Sequence, residues 1–115
     1  MQLSMIKAEL IDQYMKCQDG IDVYKNEIKK HCVKGYVSSK KINGKTYHYL
    51  QWTENGKIHS KYIKAAHLEA LKVNIAQRKE YEKHIKEMKK SIKEIEIFVG
   101  VDVIKEAINA IKAKE

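Results

Sequence analysis

Residues 36–63 read YVSSKKINGKTYHYLQWTENGKIHSKYI. Two Asn-Gly pairs, Asn43-Gly44 and Asn55-Gly56, separate three runs that are rich in β-branched and aromatic residues. Asn-Gly is the strongest short signal for a β-hairpin, because a two-residue type I′ turn needs a positive φ at both central residues. Two such turns in succession predict a three-stranded antiparallel β-meander.

The sequence on both sides of the meander has a helical period. Apolar residues recur in steps of three and four before it, and again after it with one interruption near Arg78. The first pattern keeps its phase across Gly20, which favours one long helix over two helices that meet there. The spacing therefore predicts a helix over residues 3–34 and a coiled-coil-like helix over residues 66–99.

A short helix completes the predicted order, because Gly100 ends the second long helix and residues 102–114 again have helical spacing. The prediction is an α+β fold with a long helix, a three-stranded antiparallel β-meander, a long coiled-coil-like helix and a short C-terminal helix. A length of 115 residues suits a single domain over residues 1–115, since domains have about 100–200 residues. The long apolar seam on so small a chain also predicts a homodimer.

Counting outward from the two turns sorts the side chains of the meander into two faces. We expect the first face to be packed against a helix: Val37, His48, Leu50, Trp52, His59 and Ile63. We call the second the tyrosine face and expect it to be exposed: Tyr36, Ser38, Lys40, Lys45, Tyr47, Tyr49, Gln51, Ser60, Tyr62 and Lys64. The opposite assignment, in which the tyrosines cover a helix, stays open because Lys61 falls opposite Leu50 on the first face.

The positive charge of the chain is concentrated in the same segment. The formal net charge is +8, and residues 29–64 contain nine lysines and a single acid, Glu54. The remaining residues hold 14 basic and 14 acidic side chains and are neutral together. Charge this localised attracts polyanions. A plainer interpretation is that the lysines protect the edges of an exposed sheet from pairing with other chains.

Composition excludes several classes of protein. With 43% hydrophobic residues the chain is too apolar for a disordered segment. It has no apolar run of about 18 residues and no signal-peptide pattern at its start, so we expect a cytoplasmic protein without a membrane partner. It also lacks a glycine-rich phosphate loop, a serine elbow and a His-Glu-x-x-His motif. We expect no enzyme activity, no catalytic or metal-binding residues and no cofactor.

The meander resembles a segment of small uncharacterised proteins of bacteria, archaea and their mobile elements. The similarity is carried by Gly35-Tyr36, the runs 40–52 and 55–57, and the run 61–64, and a charged coiled-coil helix follows in that group too. More distantly, residues 36–75 resemble the three-stranded arm-binding domain of phage-type integrases, which lays its sheet in a DNA groove. That likeness implies DNA contact and a phage or mobile-element origin, although arginine is absent from the strands here.

The leading hypothesis is a small basic protein that binds DNA or RNA with little sequence specificity. Lysines would neutralise phosphates, and exposed tyrosines would stack on unpaired bases. The binding residues we expect are Tyr36, Lys40, Lys45, Tyr47, Tyr49, Tyr62 and Lys64. The alternative is a phage-encoded, anti-CRISPR-type inhibitor that docks on a host nuclease complex, since tyrosine and tryptophan are typical interface anchors. A third hypothesis is a coiled-coil scaffold with the sheet as a cap.

Overall fold

A computed structural model of the chain describes residues 3–114. Helix α1 comes first, three strands follow, and two helices complete the chain. Their bounds are α1 Leu3–His31, β1 Tyr36–Ile42, β2 Lys45–Glu54, β3 Lys57–Ile63, α2 Ala65–Val99 and α3 Val101–Ala113. The strands form one antiparallel sheet in the order β1-β2-β3. The predicted α+β fold is confirmed.

Both hairpins have the predicted two-residue turns. Ile42 pairs with Lys45 in the first hairpin, and Glu54 pairs with Lys57 in the second. The two asparagines have φ of 50° and 52°, and the glycines that follow them have φ of 78° and 74°. Positive φ at both central residues is the conformation of a type I′ turn, whose twist matches that of the strands. The predicted register is confirmed along the whole meander.

The helix bounds differ in detail from the prediction. Helix α1 ends at His31 and not at residue 34, whereas α2 and α3 each begin one residue earlier than predicted. Helix α1 is continuous through Gly20. A Cβ atom at Gly20 would lie 2.8 Å from the Cε atom of Met88 on α2, so the glycine allows a close approach of the two helices. Close packing against Met88 thus explains why a glycine stands in the middle of α1.

The described residues form two compact units. The first, which we call the helical unit, consists of the described parts of Met1–Lys25 and Glu82–Glu115. The second, the sheet unit, is Asn26–Tyr81 and contains the meander. That the chain is a single domain over residues 1–115 stays a prediction, and residues 1, 2 and 115 lie outside the described residues.

The helical unit has a small apolar core made by all three of its helices. Ile11 of α1, Ile95 and Val99 of α2 and Ile104 of α3 are buried together, and Ile104 is only 1% exposed. The long apolar pattern of α2 is therefore covered here by other helices of the same chain. In the described part of the chain, no helix has an apolar stretch long enough to cross a membrane.

Replacing Ile104 by alanine is expected to destabilise the helical unit by about 2–5 kcal/mol, because it leaves a cavity among buried side chains. The matched control is Ile97→Ala, since Ile97 is 85% exposed. A surface substitution of this kind changes stability by about 0.5 kcal/mol or less. Urea unfolding followed by circular dichroism measures both variants. Equal losses for the two variants would contradict the described core.

Candidate functional site

The sheet has one packed face and one exposed face. Ile63 is 7% exposed on the packed face, where the rings of Trp52 and His59 stack with centroids 5.5 Å apart. On the same face the Ser39 hydroxyl and the His48 Nδ1 atom form a hydrogen bond of 2.8 Å. Tyr36 and Tyr62 on the other face are 56% and 53% exposed. The structure therefore agrees with the assignment that leaves the tyrosine face open.

Lys61, which fitted this assignment poorly, is explained by its position on an edge strand. It pairs with Leu50, and β3 has a neighbouring strand on one side only. Its side chain is exposed although it belongs to the packed face. A lysine can lay its methylene stem along an apolar surface and keep its ammonium group in water.

Three of the four predicted tyrosines form one cluster. The ring of Tyr62 meets that of Tyr49 edge-on at 5.8 Å between centroids and that of Tyr47 at 6.4 Å with an angle of 54°. Aromatic pairs prefer such tilted contacts and gain about 0.5–1.5 kcal/mol from them. Tyr47 and Tyr49 are half-buried, whereas Tyr62 is more than half exposed. Two rings thus hold the third in place at the surface.

Tyr36 lies outside that cluster, in the cross-strand row next to it. It pairs with Gln51, and its hydroxyl donates a hydrogen bond of 2.9 Å to the Gln51 Oε1 atom. This bond joins the hydroxyl of an exposed ring to the side-chain amide of Gln51. The tyrosine face therefore presents two open rings, those of Tyr36 and Tyr62.

The predicted lysines lie toward one end of the tyrosine face, beside Tyr47. The Nζ atom of Lys40 lies 5.4 Å from the centroid of the Tyr49 ring, within the range of a cation–π contact. Lys45 stands at the start of β2, two residues before Tyr47, and Lys64 directly follows β3. All three lysines are exposed. The three lysines thus gather at the Tyr47 end of the face, and Tyr36 lies at its other end, opposite Gln51.

Acidic groups are absent from the tyrosine face itself. The only acid of residues 29–64 is Glu54, and the indole Nε1 of Trp52 on the packed face donates to its Oε2 atom at 3.4 Å. Among residues 3–114, no ion pair of at most 4.0 Å joins a lysine of the tyrosine face to a carboxylate. The positive field of this face is therefore not neutralised locally.

Two polar residues of α2 hold the chain where it enters the sheet. The Asn74 side chain donates to the His31 carbonyl oxygen at 2.6 Å and accepts from the Val33 amide at 2.7 Å. The Arg78 guanidinium donates to the Val33 carbonyl oxygen at 3.1 Å. Through these bonds, backbone groups at His31 and Val33 have hydrogen-bond partners on α2 and not within α1. Helix α1 therefore ends three residues before its predicted end.

Gly35 completes the entry to β1. Its φ is +119°, a conformation open mainly to glycine. A Cβ atom here would overlap the carbonyl oxygen of Gln51 and come within 3.1 Å of the Trp52 Cβ atom. The chain therefore passes directly over β2, and Tyr36 enters the sheet in the register that sets it opposite Gln51.

Asn74 and Arg78 were not among the residues predicted from the sequence to belong to the site. The signal that could have found them is the interruption of the apolar pattern of α2 near Arg78. Asn74 and Arg78 are half-buried like their apolar neighbours, so the seam continues through polar side chains there. A polar residue within an apolar seam points to a backbone partner that it must satisfy.

Replacing Asn74 by alanine is expected to cost about 1–3 kcal/mol, because the Val33 amide and the His31 carbonyl lose their partner. Asn109→Ala is the matched control, since Asn109 is an exposed residue in the middle of α3. Chemical unfolding gives the free-energy change, and hydrogen exchange reports protection of the Val33 amide. An unchanged exchange rate at Val33 would show that this contact does not hold the segment.

Comparison with known proteins gives a family without an assigned activity. A family model described as a domain of unknown function, DUF6788, matches residues 6–73, which is more than half of the chain. The chain therefore belongs to the DUF6788 family. No curated protein and no solved structure matched it. None of these comparisons links the chain to the arm-binding domains of integrases. The range matched by the family model contains the whole tyrosine face.

Proposed function

We propose that this protein binds nucleic acid through the tyrosine face, without sequence specificity and without catalysing a reaction. The observation that carries the proposal is an acid-free sheet face that has exposed lysines at one end and two open tyrosine rings, those of Tyr62 and Tyr36, farther along it. Binding to phosphates needs cations that are not already paired, and stacking on bases needs ring faces that are open to solvent. The tyrosine face offers both within one sheet.

Phosphate contacts supply the salt-dependent part of the affinity. Lys40, Lys45 and Lys64 would neutralise about three phosphates, and each adds about 0.7 to the slope of log affinity against log salt for a single strand. The affinity is then expected to fall about 20-fold between 50 and 200 mM salt. The other lysines of residues 29–64 would add to this slope where they reach the same strand.

Ring contacts supply the part that depends less on salt. Tyr62 and Tyr36 present open rings, and each stacked base contributes about 1–3 kcal/mol. Base-edge readout is weak by comparison, because the face carries a single side-chain amide, that of Gln51, and no arginine, so it lacks a row of groups for base edges. The affinity should therefore vary little with base sequence.

Replacing Lys40, Lys45 and Lys64 together by glutamate is expected to lower the affinity for short DNA or RNA at least about 100-fold at low salt, because three phosphate contacts become repulsive. The matched control replaces three exposed lysines of α2 in the helical unit by glutamate, namely Lys83, Lys86 and Lys90. It gives the same net charge and should change the affinity about threefold or less. Fluorescence anisotropy over a range of salt concentrations measures both variants.

Two outcomes would contradict the proposal. One is that the wild-type protein binds no DNA or RNA at low salt. The other is that both triple variants lose affinity equally, since the net charge and not the tyrosine face would then govern binding. The inhibitor hypothesis predicts a different result, namely a protein partner from host lysate that stays bound after nuclease treatment. The scaffold hypothesis predicts a partner helix whose binding survives the exchange at the tyrosine face.

A further inference from the structure

A cleft of about 470 Å³ opens beside the tyrosine face, between β3 and the first turns of α2. Its apolar wall is formed by Leu50, Ile63 and Leu71. Ile63 is buried, and the two leucines are half-buried. The cleft lies wholly within the sheet unit. It is thus an apolar recess at the edge of the surface proposed to bind nucleic acid.

Two lysines make the rim of the cleft positive. Lys61 and Lys64 line it and are exposed, as is His67, and no acidic residue lines it within the described part of the chain. A ligand that suits this arrangement has an apolar body and a negative charge beside it. A cation would be repelled by the rim, and a purely apolar group would leave the charges of the rim without a partner.

Tyr62 and Lys64 belong to both surfaces. Tyr62 of β3 is one of the residues that line the cleft. Its ring also contacts the rings of Tyr47 and Tyr49 on the tyrosine face. Leu50 and Ile63 belong to the packed face, so a strand on the tyrosine face reaches the cleft by passing around the edge strand β3. Its phosphates would meet Lys64 while one of its bases lies next to the apolar wall.

We propose that the cleft takes one unpaired base of a nucleic-acid strand bound on the tyrosine face, which makes the protein selective for single strands over duplexes. This inference rests on the proposed function. A base in a duplex is paired and stacked, and to expose it costs a few kcal/mol. A single strand offers the same base without that cost, so the two substrates differ in affinity even though both carry phosphates.

The test compares a thymidine oligomer with a duplex of the same length in one buffer. The single strand is expected to bind about tenfold more tightly, which is within the range that one additional base contact gives. His67→Glu is then expected to remove most of this preference, because a carboxylate at the rim repels the adjacent phosphate. The substitution should not disturb folding, since His67 is exposed and a negative charge in the first turn suits a helix.

The matched control is Gln77→Glu, which adds the same charge at an exposed position farther along α2. It should leave the ratio of the two affinities unchanged. Equal affinity of the wild-type protein for single strand and duplex would overturn the cleft as a base site and the stacking on tyrosine rings, and would leave only the phosphate contacts of the proposed function standing. Loss of the preference in both glutamate variants would also overturn it. No binding to either substrate would overturn the proposed function and this inference together.

Discussion

The two type I′ turns of the meander are the constraint on which the rest of the sheet unit depends. Each turn fixes which residues of neighbouring strands lie opposite one another, and side chains alternate between faces with a period of two. A shift of one residue at Asn43-Gly44 would exchange the faces of β1 relative to β2 and move Lys40 off the tyrosine face. The positive φ values of these four turn residues therefore decide the composition of the candidate site.

A second set of contacts holds the sheet's first strand at its entry. The chain leaves α1 at His31, is held by two side chains of α2, and passes Gly35 before Tyr36 begins β1. The tyrosine face and the adjoining cleft then share one edge strand, β3, and one ring, Tyr62. Positive charge, exposed aromatic rings and an apolar recess thus lie close together on a sheet of three strands.

Much of this arrangement is local in sequence and could be predicted from it. The turns, the register and the division of side chains into faces follow from the Asn-Gly pairs and from a period of two. The end of α1 could not be predicted, because it depends on hydrogen bonds from Asn74, which lies 43 residues beyond His31. The tilted ring contacts of Tyr62 and the cleft beside Leu71 were also out of reach, since they depend on how side chains pack and on where α2 lies over the sheet unit. Neither the fold nor the family match names a ligand.

We propose that nucleic acid contacts the tyrosine face and the adjoining cleft, and not the helical unit. Backbone amide shifts of isotope-labelled protein, recorded during titration with a short single-stranded oligonucleotide at low salt, test it most directly. We expect shifts concentrated in β1, β2, β3 and the first turns of α2, with the amides of α3 unchanged. Shifts concentrated in α3 and the C-terminal half of α2, or no shifts at all, would contradict it.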